Sequence, residues 1–202
     1  MKKLNKCIFL VGSNGSGKST FLKKKLSNYK KFIFVSCSND TTILNKETEI
    51  IYFCFENESF IFKNKKGDEI KQFSNKTVIF FEPASIAEVG SYTLFSNLCK
   101  KLCFVKNNVI VFDDLRAVIN EKTSNALKSL FVSYRQNNLH LYTVYHSLND
   151  IHRSLIMHGS YIVLFQTKDK HLKEQVLFLK KAQKEVNKLC KEKAFSYKIY
   201  KL

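Results

Sequence analysis

Residues 7–22 constrain the fold of this chain more than any other stretch. An apolar run at 7–11 is followed by the spacing G-x-x-x-x-G-K-S from Gly12 to Ser19, and an apolar periodicity begins at Thr20. A buried strand, a glycine-rich loop and a helix in this order form the setting in which a phosphate-binding loop operates. The sequence therefore predicts an α/β domain that binds a phosphorylated ligand at this loop.

The residue types of the loop suit a triphosphate. Gly12, Gly15 and Gly17 allow backbone conformations that a Cβ would forbid, so that successive N–H groups can point at a phosphate. The helix N-terminus adds N–H donors and a partial positive charge. Lys18 can reach the β- and γ-phosphates, and the Ser19 hydroxyl can bind Mg²⁺. We predict that ATP and Mg²⁺ are the ligands, and that the nucleotide contacts Gly12, Ser13, Asn14, Gly15, Ser16, Gly17, Lys18, Ser19 and Thr20.

The length and composition are those of one globular domain. The chain has 202 residues, of which 45% are hydrophobic, enough to bury a substantial core. No apolar run approaches the ~20 residues that a transmembrane segment needs, and the basic N-terminus leads into a core strand rather than an export signal. We expect a cytoplasmic protein whose six cysteines are reduced thiols.

The charge of the chain is strongly positive. The 34 Lys and Arg residues outnumber the 17 Asp and Glu residues and give a formal net charge of +17. Such a charge favours partners with a phosphate backbone. Nearly all the basic residues are Lys, however, and a genome rich in A and T would favour the same usage. The charge alone leaves both explanations open.

Strand and helix patterns alternate along the chain. They predict a three-layer α/β domain with a mainly parallel central sheet. We expect one domain over 1–202, with a core at about 5–166 and a C-terminal region at 172–202. The other predicted elements are helices at about 19–27, 91–104, 122–136, 148–155 and 172–193 (the last one basic), strands at 31–36, 77–81, 109–112, 139–145, 161–165 and 195–200 (the last one an edge strand), a β-hairpin insertion at 49–63 and a polar loop at 37–42.

Two predicted strands end in carboxylates, which a phosphate loop needs nearby to hold Mg²⁺ through water. The strand at 109–112 is followed by Asp113 and Asp114. We assign Asp113 to Mg²⁺ and Asp114 to the attacking water, although Asp114 could instead cap the following turn. The strand at 77–81 ends at Glu82, and a supporting role in the site and a solvated strand end are both open for that residue.

Two further residue types are candidates for contact with the γ-phosphate. His146 follows the strand at 139–145, where a polar side chain could report hydrolysis. Arg suits a transferring phosphoryl group and often comes from a neighbouring subunit. The chain has three, Arg116, Arg135 and Arg153. We predict catalytic roles for Arg135 and Arg153, with a surface ion pair as the alternative for Arg135.

In this order the motifs resemble the FtsK–HerA superfamily of P-loop ATPases. The resemblance implies a P-loop NTPase domain of the RecA-like (ASCE) type. The resemblance covers most of residues 5–166 and is nearest to the compact viral members. These are genome-packaging ATPases of membrane-containing phages and archaeal viruses, and Zot-like proteins of filamentous phages. Two positions depart from the family pattern: Gln is usual at the place of His146, and Glu commonly stands where this chain has Asp114.

The resemblance implies an ATP-hydrolysing DNA translocase, above all a viral genome-packaging ATPase that pumps DNA into a capsid. A viral protein of this kind would be found in the host cytoplasm. It implies a ring of identical subunits, commonly a hexamer, that binds DNA without sequence preference and docks on a capsid or membrane-vertex protein. Zot-like proteins carry a transmembrane segment, which this sequence lacks. A Zot-like phage-assembly ATPase, a nucleoside or nucleotide kinase and a slowly hydrolysing switch remain alternatives, although an Arg-rich kinase lid is not evident.

Overall fold

The computed structural model describes residues 5–36, 47–115, 118, 121–193 and 195–202. Arg116, Cys37 and the predicted loop at 37–42 lie outside these ranges. The strands are β1 (Lys6–Val11), β2 (Phe32–Ser36), β3 (Glu49–Glu56), β4 (Ser59–Asn64), β5 (Lys76–Phe81), β6 (Val109–Asp113), β7 (His140–Tyr145), β8 (Tyr161–Leu164) and β9 (Lys198–Lys201). The α-helices are α1 (Lys18–Leu26), α2 (Pro83–Val89), α3 (Ser91–Leu102), α4 (Glu121–Ser133), α5 (Arg153–Ile156) and α6 (Lys180–Glu192).

The strands form one sheet in the order β4-β3-β5-β2-β6-β7-β1-β8-β9. The seven strands from β3 to β8 in this order pair in parallel, and β4 and β9 are antiparallel edges. The predicted α/β fold with a mainly parallel sheet is therefore confirmed. One strand, β7, separates β1 from β6, so the ends of β1, β7 and β6 lie side by side.

Helices cover both faces of the sheet, which explains why the central strands are apolar throughout. Cys7, Phe9 and Val11 of β1 point into a core shared with α3, α4, α5 and α6. Ile8 and Leu10 point to the other face, where α1 contributes the helical side chains among the residues that the structure describes. The alternation follows from the two-residue period of a strand. The three layers are thus present but unequal.

The predicted hairpin is part of the sheet. Asn57 and Glu58 connect β3 to β4 with φ angles of 47° and 60°, the paired positive values of a tight two-residue turn. In addition, β3 pairs in parallel with β5, with Phe53 opposite Phe81. The predicted hairpin is therefore confirmed, and it forms one edge of the central sheet.

Three helical predictions need correction. In place of the basic helix predicted at 172–193, the chain forms a 3-10 helix, Glu174–Leu179, followed by α6. A 3-10 helix brings residues three apart onto one side, and in this one Val176 and Leu179 are buried. The helix predicted at 148–155 is a 3-10 turn, Leu148–Asp150, and the short α5, because Ile151 and His152 are extended. The seven-residue α2 begins at the only proline, and the sequence periodicity missed it.

Truncation of a buried ring at the centre of the larger core should destabilise the fold. Phe95 is fully buried, with its ring centroid 5.6 Å from that of Phe112. We expect Phe95→Ala to lower the free energy of unfolding by about 3–5 kcal/mol, through lost burial and the cavity left behind. Urea denaturation measures this change. Phe104→Ala, just beyond the end of α3 and 84% exposed, is the matched control, and an equal loss in both variants would contradict this core.

Candidate functional site: a phosphate loop at the carboxyl edge of the sheet

The loop between β1 and α1 is fixed by the two strands beside β1. Gly12 N donates to Tyr145 O at 3.1 Å, and Ser13 N donates to Gln166 O at 2.8 Å. A Cβ on Gly12 would lie 2.6 Å from Phe165 Cβ, so no larger residue fits there without displacement. The loop is therefore anchored to the chain segments that follow β7 and β8.

Two further glycines shape the loop. Gly15 and Gly17 have φ angles of 74° and 98°, the left-handed region that glycine enters without steric cost. Gly17 is the N-cap of α1, and no side chain of the described residues caps this helix end. The first-turn N–H groups of α1 are thus directed at the loop, where an anion is favoured by the donors and by the helix dipole.

Lys18 brings a positive charge into the loop itself. Its side chain is buried, and Nζ donates to Gly12 O at 2.5 Å and to Ser13 O at 2.9 Å. The backbone carbonyls thereby hold the ammonium group beside the glycines and the start of α1. A phosphate bound at the N–H groups would have this charge next to it. The position agrees with the role predicted for Lys18.

The predicted acidic residues end the strand that lies two places from β1. Asp113 is the last residue of β6, and Asp114 follows it with a φ of 48°, a left-handed conformation that Asp tolerates better than most residues. Asp114 thus turns the chain at the end of β6. Its side chain nevertheless lines the same cavity as the loop. The turn and the site therefore use the same residue.

His146 lies at the end of β7, between the loop and the acidic pair. Its Nε2 is 3.5 Å from Asp114 Oδ1. The predicted proximity of His146 to the phosphate loop is therefore present, and the contact with the second carboxylate is a feature that the sequence did not reveal. An imidazole here can orient the carboxylate and can donate to a phosphate oxygen.

A polar network fixes the segment that follows His146. Asp169 accepts hydrogen bonds from Leu148 N at 3.0 Å and from the Ser147 hydroxyl. Ser147 N donates to Asp150 Oδ2 at 3.0 Å, which closes a capping box. Asn149 Oδ1 accepts from Lys173 N at 2.7 Å. The network attaches the end of β7 to the segment before the 3-10 helix at 174–179, so the position of His146 does not depend on β7 alone.

These parts enclose one cavity of about 450 Å³. It is lined by Asn14, Gly15, Ser16, Gly17, Lys18, Ser19, Thr20, Asp113, Asp114, His146 and Phe195. All but the last are residues that the sequence predicted. Gly12 and Ser13 do not line the cavity, but their backbone hydrogen bonds anchor the loop.

The same cavity contains the two predicted metal ligands. The Ser19 hydroxyl and the Asp113 carboxylate offer hard oxygen donors, which Mg²⁺ prefers. Within the described residues, no group of three or more His, Cys, Asp and Glu side chains could hold a metal ion. Mg²⁺ commonly takes only one or two protein ligands together with phosphate and water. The donor set therefore fits a phosphate-bound Mg²⁺.

No protein-family model matches the sequence, and no curated protein does so either. The structure is similar to B204, the DNA-packaging ATPase from Sulfolobus turreted icosahedral virus, with a TM-score of 0.57 and 13% sequence identity over 99% of this chain and 94% of that one. It is also similar to the genome-packaging NTPase B204 from Sulfolobus turreted icosahedral virus 2 in complex with AMPPCP, with a TM-score of 0.57 and 14% identity over 98% and 92% of the two chains.

The complex of the same protein with sulfate gives a TM-score of 0.57 and 16% identity, over 100% of this chain and 92% of that one. This chain has the fold of the packaging ATPases. At such low identity the similarity concerns the fold, which is the one that the resemblance to the FtsK–HerA superfamily predicted. The coverage indicates that the whole described chain, and not only its central part, takes part in that fold.

The two described arginines lie outside the cavity. Arg135 follows α4 and is exposed, and its Nε donates to the Tyr134 hydroxyl at 2.9 Å. Arg135 precedes β7 and His146 follows β7, and a six-residue strand spans about 20 Å. Arg135 thus lies at the opposite edge of the sheet from the loop of its own chain. Arg153 is exposed at the first position of α5.

Glu82 does not belong to the cavity. Three strands, β2, β6 and β7, separate β5 from β1. The Glu82 carboxylate accepts from Ser85 Oγ at 2.5 Å, and Ser85 Oγ accepts from Phe55 N at 2.7 Å. Of the two roles left open for Glu82, the supporting role in the site is therefore wrong. It joins the start of α2 to β3 instead of remaining fully solvated.

Three of the described cysteines, Cys7, Cys54 and Cys99, are buried thiols. Burial raises the pKa of the Cys7 thiol well above its ordinary value. Burial, reinforced by the nearby Glu82, raises the pKa of Cys54 to about 12. Cys99 is fully buried in the larger core. Such thiols are protonated at neutral pH and are poor nucleophiles and poor metal ligands.

Sequence reasoning missed two residues near the site. Ser36, the buried last residue of β2, lies opposite Asp113 in the β2–β6 pair. A polar residue ending a predicted strand was the available signal. Phe195 lines the cavity from the C-terminal segment, and no sequence pattern points to it, because its position depends on the pairing of β9 with β8.

Loss of the charge that holds the segment after His146 should loosen the fold. We expect Asp169→Asn to lower the free energy of unfolding by about 1–3 kcal/mol, because the two donors lose a charged acceptor. Thermal unfolding monitored by circular dichroism measures the change. Glu174→Gln, an exposed site close by in the chain, is the control. Equal stability of Asp169→Asn and the unaltered chain would refute the role of this network.

Proposed function

We propose that this protein is an ATP-hydrolysing DNA translocase, and specifically a viral genome-packaging ATPase that pumps DNA into a capsid. The observation that carries the proposal is the single cavity in which the loop from Asn14 to Thr20 faces Asp113, Asp114 and His146. A phosphate loop alone would support only binding. The carboxylate pair in the same cavity supplies what hydrolysis needs.

The proposed mechanism assigns one task to each side chain. The loop N–H groups and Lys18 bind the phosphates and neutralise the charge that develops during transfer. Ser19 and Asp113 would hold Mg²⁺, which supplies charge stabilisation at the β- and γ-phosphates. Asp114 accepts a hydrogen bond from the attacking water and orients it for in-line attack. His146, in contact with Asp114, fixes that carboxylate and senses the γ-phosphate.

The charge distribution supports DNA as the substrate of translocation. The described part of α6 and the residue after it carry exposed lysines, and so does the turn that follows β4. These lysines are Lys65, Lys66, Lys180, Lys181, Lys184, Lys188, Lys191 and Lys193. Lysines on separate elements can contact phosphates without reading bases, which is the binding mode that a translocase needs. The fold shared with B204 supports packaging as the purpose of translocation.

Motion along DNA also supports assembly. A single domain holds one nucleotide cavity, and pumping requires several such sites to act around the same duplex. A ring of identical subunits, commonly a hexamer, provides them through heterologous interfaces that close. Because Arg135 lies at the far edge of its own sheet, a contact between this arginine and a nucleotide must come from a second copy. Docking on a capsid or membrane-vertex protein would place such a ring. No helix of the described residues has the length and apolar character to cross a bilayer.

ATP hydrolysis that depends on the loop and on DNA tests this proposal. We expect duplex DNA to stimulate the ATPase rate at low salt, with an effect that fades as salt rises because the contacts are with phosphates. We expect Lys18→Ala to lower the rate on the order of 100-fold, through the loss of a preorganised charge. Lys24→Ala removes the same charge from an exposed position of α1 and is the control. A rate that DNA leaves unchanged at every protein concentration would exclude the translocase.

A mixing experiment tests the proposed arginine across the interface. We expect Arg135→Ala and Asp114→Asn each to have little ATPase activity alone. When the two are mixed, about a quarter of the interfaces in a random ring pair an intact Arg135 with an intact Asp114. Activity should therefore recover on mixing, and measurement of the rate against the mixing ratio detects it. The same mixture with Arg153→Ala examines the second arginine.

Failure of the mixture to recover would remove Arg135 from the site. In that case its contact with the Tyr134 hydroxyl and ring would be its whole role. Arg135→Ala would then lower stability without a defect that another subunit can restore. Thermal unfolding of the variant distinguishes the two explanations.

A further inference from the structure

Phe195 occupies an unusual position at the edge of the nucleotide cavity. Its side chain is 66% exposed although it is apolar, and its backbone has a φ of 59°, which is rare for a bulky residue. A Cβ built on Gly17 would lie 3.2 Å from Phe195 Cβ and 3.3 Å from its ring. The phenyl ring thus lies directly against the phosphate loop. It is the one phenyl ring among the described residues that line this cavity.

Contacts on both sides of Phe195 hold the segment in place. The Tyr197 ring packs against Phe21, with centroids 5.0 Å apart, and against Phe165, with centroids 5.3 Å apart. Ser196, the residue after Phe195, donates from Oγ to Lys193 O at 2.7 Å and so ties the segment to the residue that follows α6. The exposed ring is therefore presented by an anchored segment.

The strand order gives the direction of a bound nucleotide. Asp113, Asp114 and His146 end β6 and β7, which lie on one side of β1. Phe195 lies on the other side: β9 begins with Lys198 opposite Leu164 at the carboxyl end of β8. A triphosphate whose γ-phosphate faces the carboxylates extends its nucleoside away from them. The nucleoside then extends towards β8, β9 and the Phe195 ring.

We propose that Phe195 forms a nucleobase subsite by stacking its ring on the base of the bound nucleoside triphosphate. This inference rests on the proposed function, since it takes the loop as the seat of the phosphates. Stacking explains why an exposed phenyl ring is held at the cavity, because binding of the base removes its apolar surface from water. A phenyl ring offers no hydrogen bond to the edge of a base. The subsite therefore accepts purine nucleotides by their faces, with little discrimination between ATP and GTP.

Comparison of ATP with inorganic tripolyphosphate separates the base from the phosphates. With the full chain and Mg²⁺, we expect Phe195→Ala to weaken ATP binding roughly 5- to 150-fold, the range of one base–aromatic stack. Tripolyphosphate, which has no base, should bind this variant within about twofold of the unaltered chain. Phe178→Ala removes an aromatic ring that is 60% exposed outside the cavity and should leave both affinities unchanged. Isothermal titration calorimetry measures all of them.

A second variant reports the stack directly. The chain contains no tryptophan, so Phe195→Trp introduces a single indole at the subsite. We expect it to retain ATP affinity, and its fluorescence should change with ATP and GTP but much less with tripolyphosphate. Phe178→Trp should respond to none of the three.

The possible results distinguish failure of the subsite from failure of the function. Equal ATP affinity in Phe195→Ala and the unaltered chain would overturn the subsite while leaving the ATPase proposal intact. An equal loss of ATP and tripolyphosphate would also overturn it, since Phe195 would then support the loop instead of the base. If the unaltered chain binds tripolyphosphate and ATP equally well, no base contact contributes and the subsite is wrong. If it binds neither, the proposed function fails, and the subsite with it.

Discussion

The position of β1 between β7 and β8 is the constraint on which the site depends. Because β1 pairs in parallel on both sides, the residues just after it are held by two backbone hydrogen bonds. Gly12 N donates to Tyr145 O and Ser13 N donates to Gln166 O. The turn into α1 must then pass close to Phe165, which explains why position 12 has no room for a side chain. The same pairing places the ends of β7 and β6 on one side of the loop. It places the segment before β9 on the other. A cavity with two chemically different ends follows directly from the strand order.

Electrostatics gives each end of this cavity its character. One end combines the positive N-terminus of α1 and Lys18 with two carboxylates and an imidazole, so it suits a charged group that bridges them. The other end offers one phenyl ring and no charge among the described lining residues. A polar network through Asp169 holds the first end, and ring packing of Tyr197 on Phe21 holds the second. Hydrogen bonds thus hold the charged end in place, and packing of aromatic rings holds the apolar end.

The phosphate loop and Asp113 could be predicted from sequence because their signals are local: a fixed spacing after a strand, and a carboxylate after an apolar run. His146 could be placed because parallel strands end at one edge. The Asp114–His146 contact could not be seen, since it depends on β6 and β7 being neighbours. Phe195 follows no pattern at all, and its position arises from β9, which pairs across more than 30 residues of intervening chain. At the site, the contacts that the sequence could not predict are therefore those that depend on strand order rather than on local spacing.

The same strand that completes the site also separates it from Arg135. This arginine precedes β7 and His146 follows it, so the length of β7 separates the guanidinium from the cavity of its own chain. Nothing in the described part of the chain shortens that distance, because both ends of β7 are fixed, one by pairing with β1 and the other by the Asp169 network. The cavity proposed to hold a nucleotide is therefore formed by one chain. Any step that needs Arg135 at the phosphates belongs to an assembly of at least two chains.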